Sequence, residues 1–92
     1  MKTVHAIISG RVQGVWYRGW TVDTATQLNI AGWVRNRRDG TVEAMLSGDD
    51  NDVDQMIVLM HQGSPHAIVN SIVVTIASKP IENKTFKQLS TL

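Results

Sequence analysis

Arg18 closes the stretch Gly10-Arg11-Val12-Gln13-Gly14-Val15-Trp16-Tyr17-Arg18, which links an alternating apolar segment to a helical one. A guanidinium is a rigid planar fork of donors suited to phosphate or carboxylate. A glycine-containing strand-to-helix turn can gather successive backbone N–H groups into a nest for an anion, and a helix starting there adds its positive end. The same pattern also serves as a plain connection, and spacing alone does not separate the two readings. The stretch lacks the Gly-Lys-Ser/Thr ending of a nucleotide loop. The chain has no cysteine, so a phosphocysteine intermediate is impossible, as are a disulfide framework and cysteine-ligated zinc.

Asn36 is the second residue of interest. It lies in Trp33-Val34-Arg35-Asn36, and asparagine is disfavoured in strands. Either something holds it there or it begins the turn that follows. The three histidines, His5, His61 and His66, show no paired ligand spacing. His5 alternates with a strand and reads as structural. Asp50-Asn51-Asp52-Val53-Asp54 resembles the start of a calcium loop but fails at Gln55, where glycine is needed, and at His61, where a bidentate glutamate is needed. These acids read instead as the start of a helix, where they complement its dipole and one can cap its free N–H groups.

Whether Asn36 reaches the loop of Arg18 does not follow from spacing alone and depends on the elements that carry them; 92 residues suffice for one domain, residues 1–92. Residues 3–9 alternate as a strand, with Val4, Ala6 and Ile8 on one side. Residues 10–18 are the loop. Residues 19–28 are a helix with Val22, Ala25 and Leu28 on one stripe, and Asn29 stops it because asparagine tolerates the left-handed conformation. Residues 31–38 and 41–47 are strands about the hairpin signal Asp39-Gly40, the second carrying Val42, Ala44 and Leu46 inward. Val53, Met56, Ile57 and Met60 mark a second helix, ended by Gly63 and Pro65. Residues 67–77 form a fourth strand, with Ile68, Ile72, Val74 and Ile76 on one face. Pro80 breaks the polar tail, and Thr85–Leu89 is a short fifth strand. The order βαββαβ predicts an α+β, ferredoxin-like split βαβ sandwich, two helices on one face of a four-stranded, mainly antiparallel sheet. In that arrangement strand 2 lies at one edge. The fold hosts many functions and does not choose among them.

Net charge is +1, yet the charges are segregated. Residues 1–38 hold Lys2, Arg11, Arg18, Arg35, Arg37 and Arg38 against Asp23 alone, and residues 39–54 hold six acids and no base. The basic half either attracts a small anion or is a solvated face. No apolar run reaches the length of a membrane span, and the N-terminus does not read as a signal peptide, so a cytoplasmic protein is expected.

The loop Gly10–Arg18, followed by Ala25, Gly32-Trp33-Val34-Arg35-Asn36 and Asp39-Gly40-Thr41-Val42-Glu43-Ala44, closely resembles the acylphosphatase family. The match extends through Gly48 to Gly63-Ser64-Pro65 and spans about residues 4–76. Asn29 departs from the family's usual glycine, and the end around Phe86-Lys87-Gln88-Leu89 matches loosely. The resemblance implies hydrolysis of an acyl phosphate to a carboxylate and inorganic phosphate. It implies that the loop Gln13, Gly14, Val15, Trp16, Tyr17 and Arg18 binds the phosphate, that Arg18 is catalytic, and that Asn36 orients the attacking water. It implies no cofactor, no metal and no covalent intermediate.

A small-molecule substrate, a monomer, and neither nucleic acid nor membrane as partner are the corresponding expectations. The alternative is a non-catalytic ferredoxin-like module for a small phosphorylated ligand or RNA. Such domains read RNA with aromatics on the third strand, and Thr41-Val42-Glu43-Ala44-Met45-Leu46 has none. Trp16 and Trp20 either pack the loop or shape an acyl pocket.

Overall fold

The computed structural model describes residues 1–78, 81 and 84–92, so Pro80 lies outside the described residues. The chain runs β1 (Lys2–Arg11), α1 (Tyr17–Gln27), β2 (Ala31–Asn36), β3 (Val42–Gly48), α2 (Asp50–Gln62), β4 (Ile68–Ile76) and β5 (Phe86–Gln88). The two helices pack on a sheet of order β4-β1-β3-β2-β5. β1 pairs antiparallel with β3 and β4, β2 pairs antiparallel with β3, and β5 lies parallel to β2.

The period-two pattern is realised where strands are central. Val4, Ala6 and Ile8 of β1 and Val42, Ala44 and Leu46 of β3 are fully buried, facing Val53, Met56 and Met60 of α2. Burial of each such side chain contributes on the order of 1.5–3 kcal/mol. The edge strand β4 departs from the expected alternation. A bulge at Ser9/Gly10 leaves Asn70 out of the β1 register, so Val69 packs on the core and Ile68 is exposed. Gly10 permits this approach, since a Cβ there would sit 2.1 Å from the Ile68 carbonyl oxygen.

Three expectations are corrected. First, α1 starts at Tyr17 rather than residue 19, so Tyr17 and Arg18 belong to its first turn and not to the loop. Its buried stripe is Tyr17, Thr21 and Ala25, with Val22 and Leu28 only partly covered. Thr21 can be buried because its hydroxyl donates to the Tyr17 carbonyl one turn back (2.8 Å). Second, β2 is not an edge strand. Phe86 inserts into the core, and the Leu89 and Leu92 N–H groups donate to the carbonyls of Val34 and Asn36. Third, no acid caps α2 through its side chain. Asp50 pairs with the terminal amine and Asp54 with Lys2 instead, leaving Asp50 and Asp52 to act on the helix through charge. Asn29 does adopt the left-handed conformation (φ 58°), which glycine would also take.

The sheet face away from the helices carries a charge network. Glu43 accepts from Arg35 Nε (2.8 Å) and pairs with His5 Nε2 (2.6 Å), and the Arg35 guanidinium lies 4.7 Å over the Trp33 ring. Partial burial pushes the Glu43 carboxyl up, but the hydrogen bonds from His5 and Arg35 outweigh it and hold the pKa below its ordinary 4.5. The ionised form is therefore favoured by folding. This stabilisation is complete above about pH 4.5 and disappears as pH falls through the lower folded value. Glu43→Gln should flatten the acid limb of stability between about pH 5 and 3, a range following from this linkage. Urea midpoints measured across that range check it, and an acid limb as steep as the wild type's would contradict it.

Candidate active site

The loop between β1 and α1 alternates between anchoring and lining. Gln13 turns to the scaffold, its Nε2 donating to the carbonyls of Arg37 and Thr41 in the β2–β3 hairpin (2.8 Å each). Val15 is buried, and its carbonyl accepts from the buried Ser64 hydroxyl (2.7 Å). Tyr17 is buried, and its hydroxyl donates to the Met60 carbonyl (2.9 Å). Met60 lies in the last turn of α2, where carbonyls lack helical partners, so the phenol satisfies one of them. Burial pushes the Tyr17 phenol well above its usual pKa, and it remains a neutral donor.

The intervening residues face a cavity of about 130 Å³. Val12, Gly14, Trp16, Tyr17, Arg18 and Gly19 line one side, and Asn36 of β2 and Gln88 of β5 the other. The six expected site residues besides Asn36 are thus distributed unevenly over it. Gly14, Trp16, Tyr17 and Arg18 line the cavity; Gln13 and Val15 do not, and their side chains hold the loop from behind. Val12, Gly19 and Gln88 line it without having been expected. Gly19 lay in the assigned helix and Gln88 in a loosely matching tail, so neither carried a chemical signal.

The electrostatics of the cavity favour an anion. Trp16 is the N-cap of α1, offers no side-chain cap to the helix, and no acid lies in the first turn. The N-terminal end of the helix therefore keeps its positive character. Among the described residues, Arg18 makes no ion pair or side-chain hydrogen bond. Arg11 and Arg38 likewise make no ion pair among the described residues but do not line the cavity, and the remaining basic residues of the N-terminal half are paired. Lys2 pairs with Asp54, Arg35 with Glu43 and Arg37 with Asp39 at 4.0 Å. In the same cavity lining, Asn36 carries an Oδ1 that is buried with no hydrogen-bond partner among the described residues. A buried, unpaired amide oxygen costs on the order of 1–3 kcal/mol, so it marks a place where a donor is wanted.

Trp16 holds a left-handed backbone (φ 62°), a conformation costing an L-residue about 1–2 kcal/mol. Its ring lies over Gly19, where an added Cβ would meet the indole Nε1 at 2.1 Å. It remains 62% exposed. Trp20 behaves oppositely, packing on the core with its ring 5.7 Å from that of Tyr17.

The acylphosphatase family model matches residues 4–88. The chain is 54% identical to an acylphosphatase of Rhodospirillum rubrum over 80 residues, covering 87% of this chain and 88% of that one. It is 50% identical to an acylphosphatase of Acidiphilium cryptum over 82 residues, 89% and 90% of the two chains. The crystal structure of acylphosphatase from Bacillus subtilis superposes with a TM-score of 0.93 at 34% identity, covering 97% of this chain and 99% of that one. With a family model spanning nearly its whole length, and relatives matched along most of theirs, the chain belongs to the acylphosphatase family.

Proposed function

We propose that the chain hydrolyses acyl phosphates to a carboxylate and inorganic phosphate by direct attack of a positioned water. The observation that carries this reading is the buried, unpartnered Oδ1 of Asn36 in the cavity that Arg18 also lines. The phosphoryl group would rest between the Gln13–Arg18 loop and the Arg18 fork. A water would donate one hydrogen to Asn36 Oδ1, which aims an oxygen lone pair at phosphorus. The new P–O bond forms as the bond to the acyl oxygen breaks, and the water's protons pass to phosphate and solvent.

The leaving group explains the economy of the site. A carboxylate, with a parent acid pKa of about 4.3, departs as an anion at neutral pH without a strong general acid. What remains is to neutralise the phosphoryl oxygens and place the nucleophile, tasks suited to preorganised N–H groups and a guanidinium. No metal, cofactor or covalent enzyme intermediate enters the scheme. The reading takes the enzyme as a cytoplasmic monomer with a small-molecule substrate and neither nucleic acid nor membrane as partner. In support, no helix among the described residues is long and apolar enough to cross a membrane. On the open sheet face β1 and β3 carry no Phe, Tyr or Trp for base stacking, and the one aromatic there, Trp33 of β2, lies under the Arg35 guanidinium.

Arg18→Lys keeps the charge and loses the fork. It should lower kcat/KM on an aromatic acyl phosphate by about 10²–10³, as loss of such a donor typically does. Asn36→Ala should lower kcat by a similar order, about 10²–10³, while inorganic phosphate inhibits within about threefold of its wild-type constant. Both assays are run with a chelator present. Rates within about twofold of wild type for both variants would refute the assignment, as these effects are far smaller than loss of a catalytic contact produces.

A further inference from the structure

The cavity beside Arg18 holds about 130 Å³, well below the roughly 300–1,000 Å³ that encloses a drug-sized ligand. It suits a phosphoryl headgroup, so the acyl portion of a substrate must extend past the rim. Two exposed side chains stand at that rim, Trp16 and Gln88, and only Trp16 is aromatic. It lines the cavity yet is 62% exposed, whereas every other large aromatic near the loop packs on the core.

Two backbone concessions keep the indole there. Trp16 takes a left-handed conformation that L-residues avoid, and a helix-weakening glycine occupies position 19 in the first turn of α1. Gly19 is needed because the indole lies flat against it: an added Cβ would stand 2.1 Å from Nε1 and 2.5 Å from Cε2. A tryptophan that served only to fill the core would be covered, as Trp20 is. Strained residues that gain little burial are found where a ligand is received.

We propose, resting on the acyl phosphate reading above, that Trp16 is a specificity residue. Its exposed ring is a platform on which the acyl group of the substrate lies while the phosphoryl group occupies the cavity. Aromatic acyl groups stack on such a platform, and an acetyl group is too small to use it. The Trp16 ring therefore contributes to turnover of aromatic acyl phosphates and not to that of acetyl phosphate.

The test is the ratio of kcat/KM for benzoyl phosphate to that for acetyl phosphate. Trp16→Gly retains the left-handed turn and removes the ring, and it should lower this ratio about tenfold, the scale of an aromatic pair. Gly19→Ala displaces the indole and should lower the ratio in the same direction. Trp16→Phe keeps a platform and should hold the ratio within about twofold, since stacking on an aromatic face persists. A ratio unchanged in Trp16→Gly, however far both rates fall together, overturns the proposal, because a purely structural ring affects both substrates alike. Wild-type protein that hydrolyses neither substrate would instead overturn the acyl phosphate reading, and the platform with it.

Discussion

The site depends on the rigidity of one loop. On the proposed mechanism, loop N–H groups would stabilise developing charge only if already in place, since reorganising them during reaction would consume the gain. Here the rigidity comes from hydrogen bonds made behind the loop. Gln13 holds it to the β2–β3 hairpin, Ser64 holds its centre to the segment after α2, and Tyr17 holds its end to the last turn of α2. The Ser64 and Tyr17 bonds are buried, so breaking either strands a polar group in a low-dielectric interior. The loop is thus fastened to three separate parts of the scaffold. The residues between the anchors are left to face the cavity.

The same scaffold places Asn36. It stands at the end of β2, paired to Val42 on one side, with its own carbonyl accepting from Leu92 on the other. β5 makes this possible by converting β2 from an edge strand into an interior one. Phe86 secures β5 through burial rather than through its three-residue ladder, which would be too short to persist alone. The amide oxygen of Asn36 is consequently held buried and unsatisfied, on a residue that lines the same cavity as Arg18.

Charge segregation along the chain resolves into separate local roles. Arg35 is consumed by Glu43 and Trp33 on the open sheet face, and Lys2 by Asp54. Arg18 lines the cavity from the first turn of α1, which holds no acid and has no side-chain cap. A guanidinium without a carboxylate partner keeps its donors available for an anionic ligand.

Residue order alone determined a good deal. Period-two and period-3.6 patterns placed both helices and the central strands, because Val4, Ala6, Ile8, Val42, Ala44 and Leu46 have one face to bury and no alternative register. Arg18 was legible as an anion-binding group from its type, whereas a disfavoured place in a strand only drew attention to Asn36, whose expected role came from the family resemblance. The edges were less legible. The bulge that exposes Ile68 depends on close approach between two strands, and the buried stripe through Thr21 depends on a hydroxyl finding a carbonyl within its own helix. Only the tertiary structure decided which loop residues line the cavity. Gln13 and Val15 look equivalent to Gly14 and Trp16 in sequence, but their partners lie at Arg37, Thr41 and Ser64, 24, 28 and 49 positions away. Hydrogen bonds over such separations are set by how the elements pack, and no local pattern encodes them.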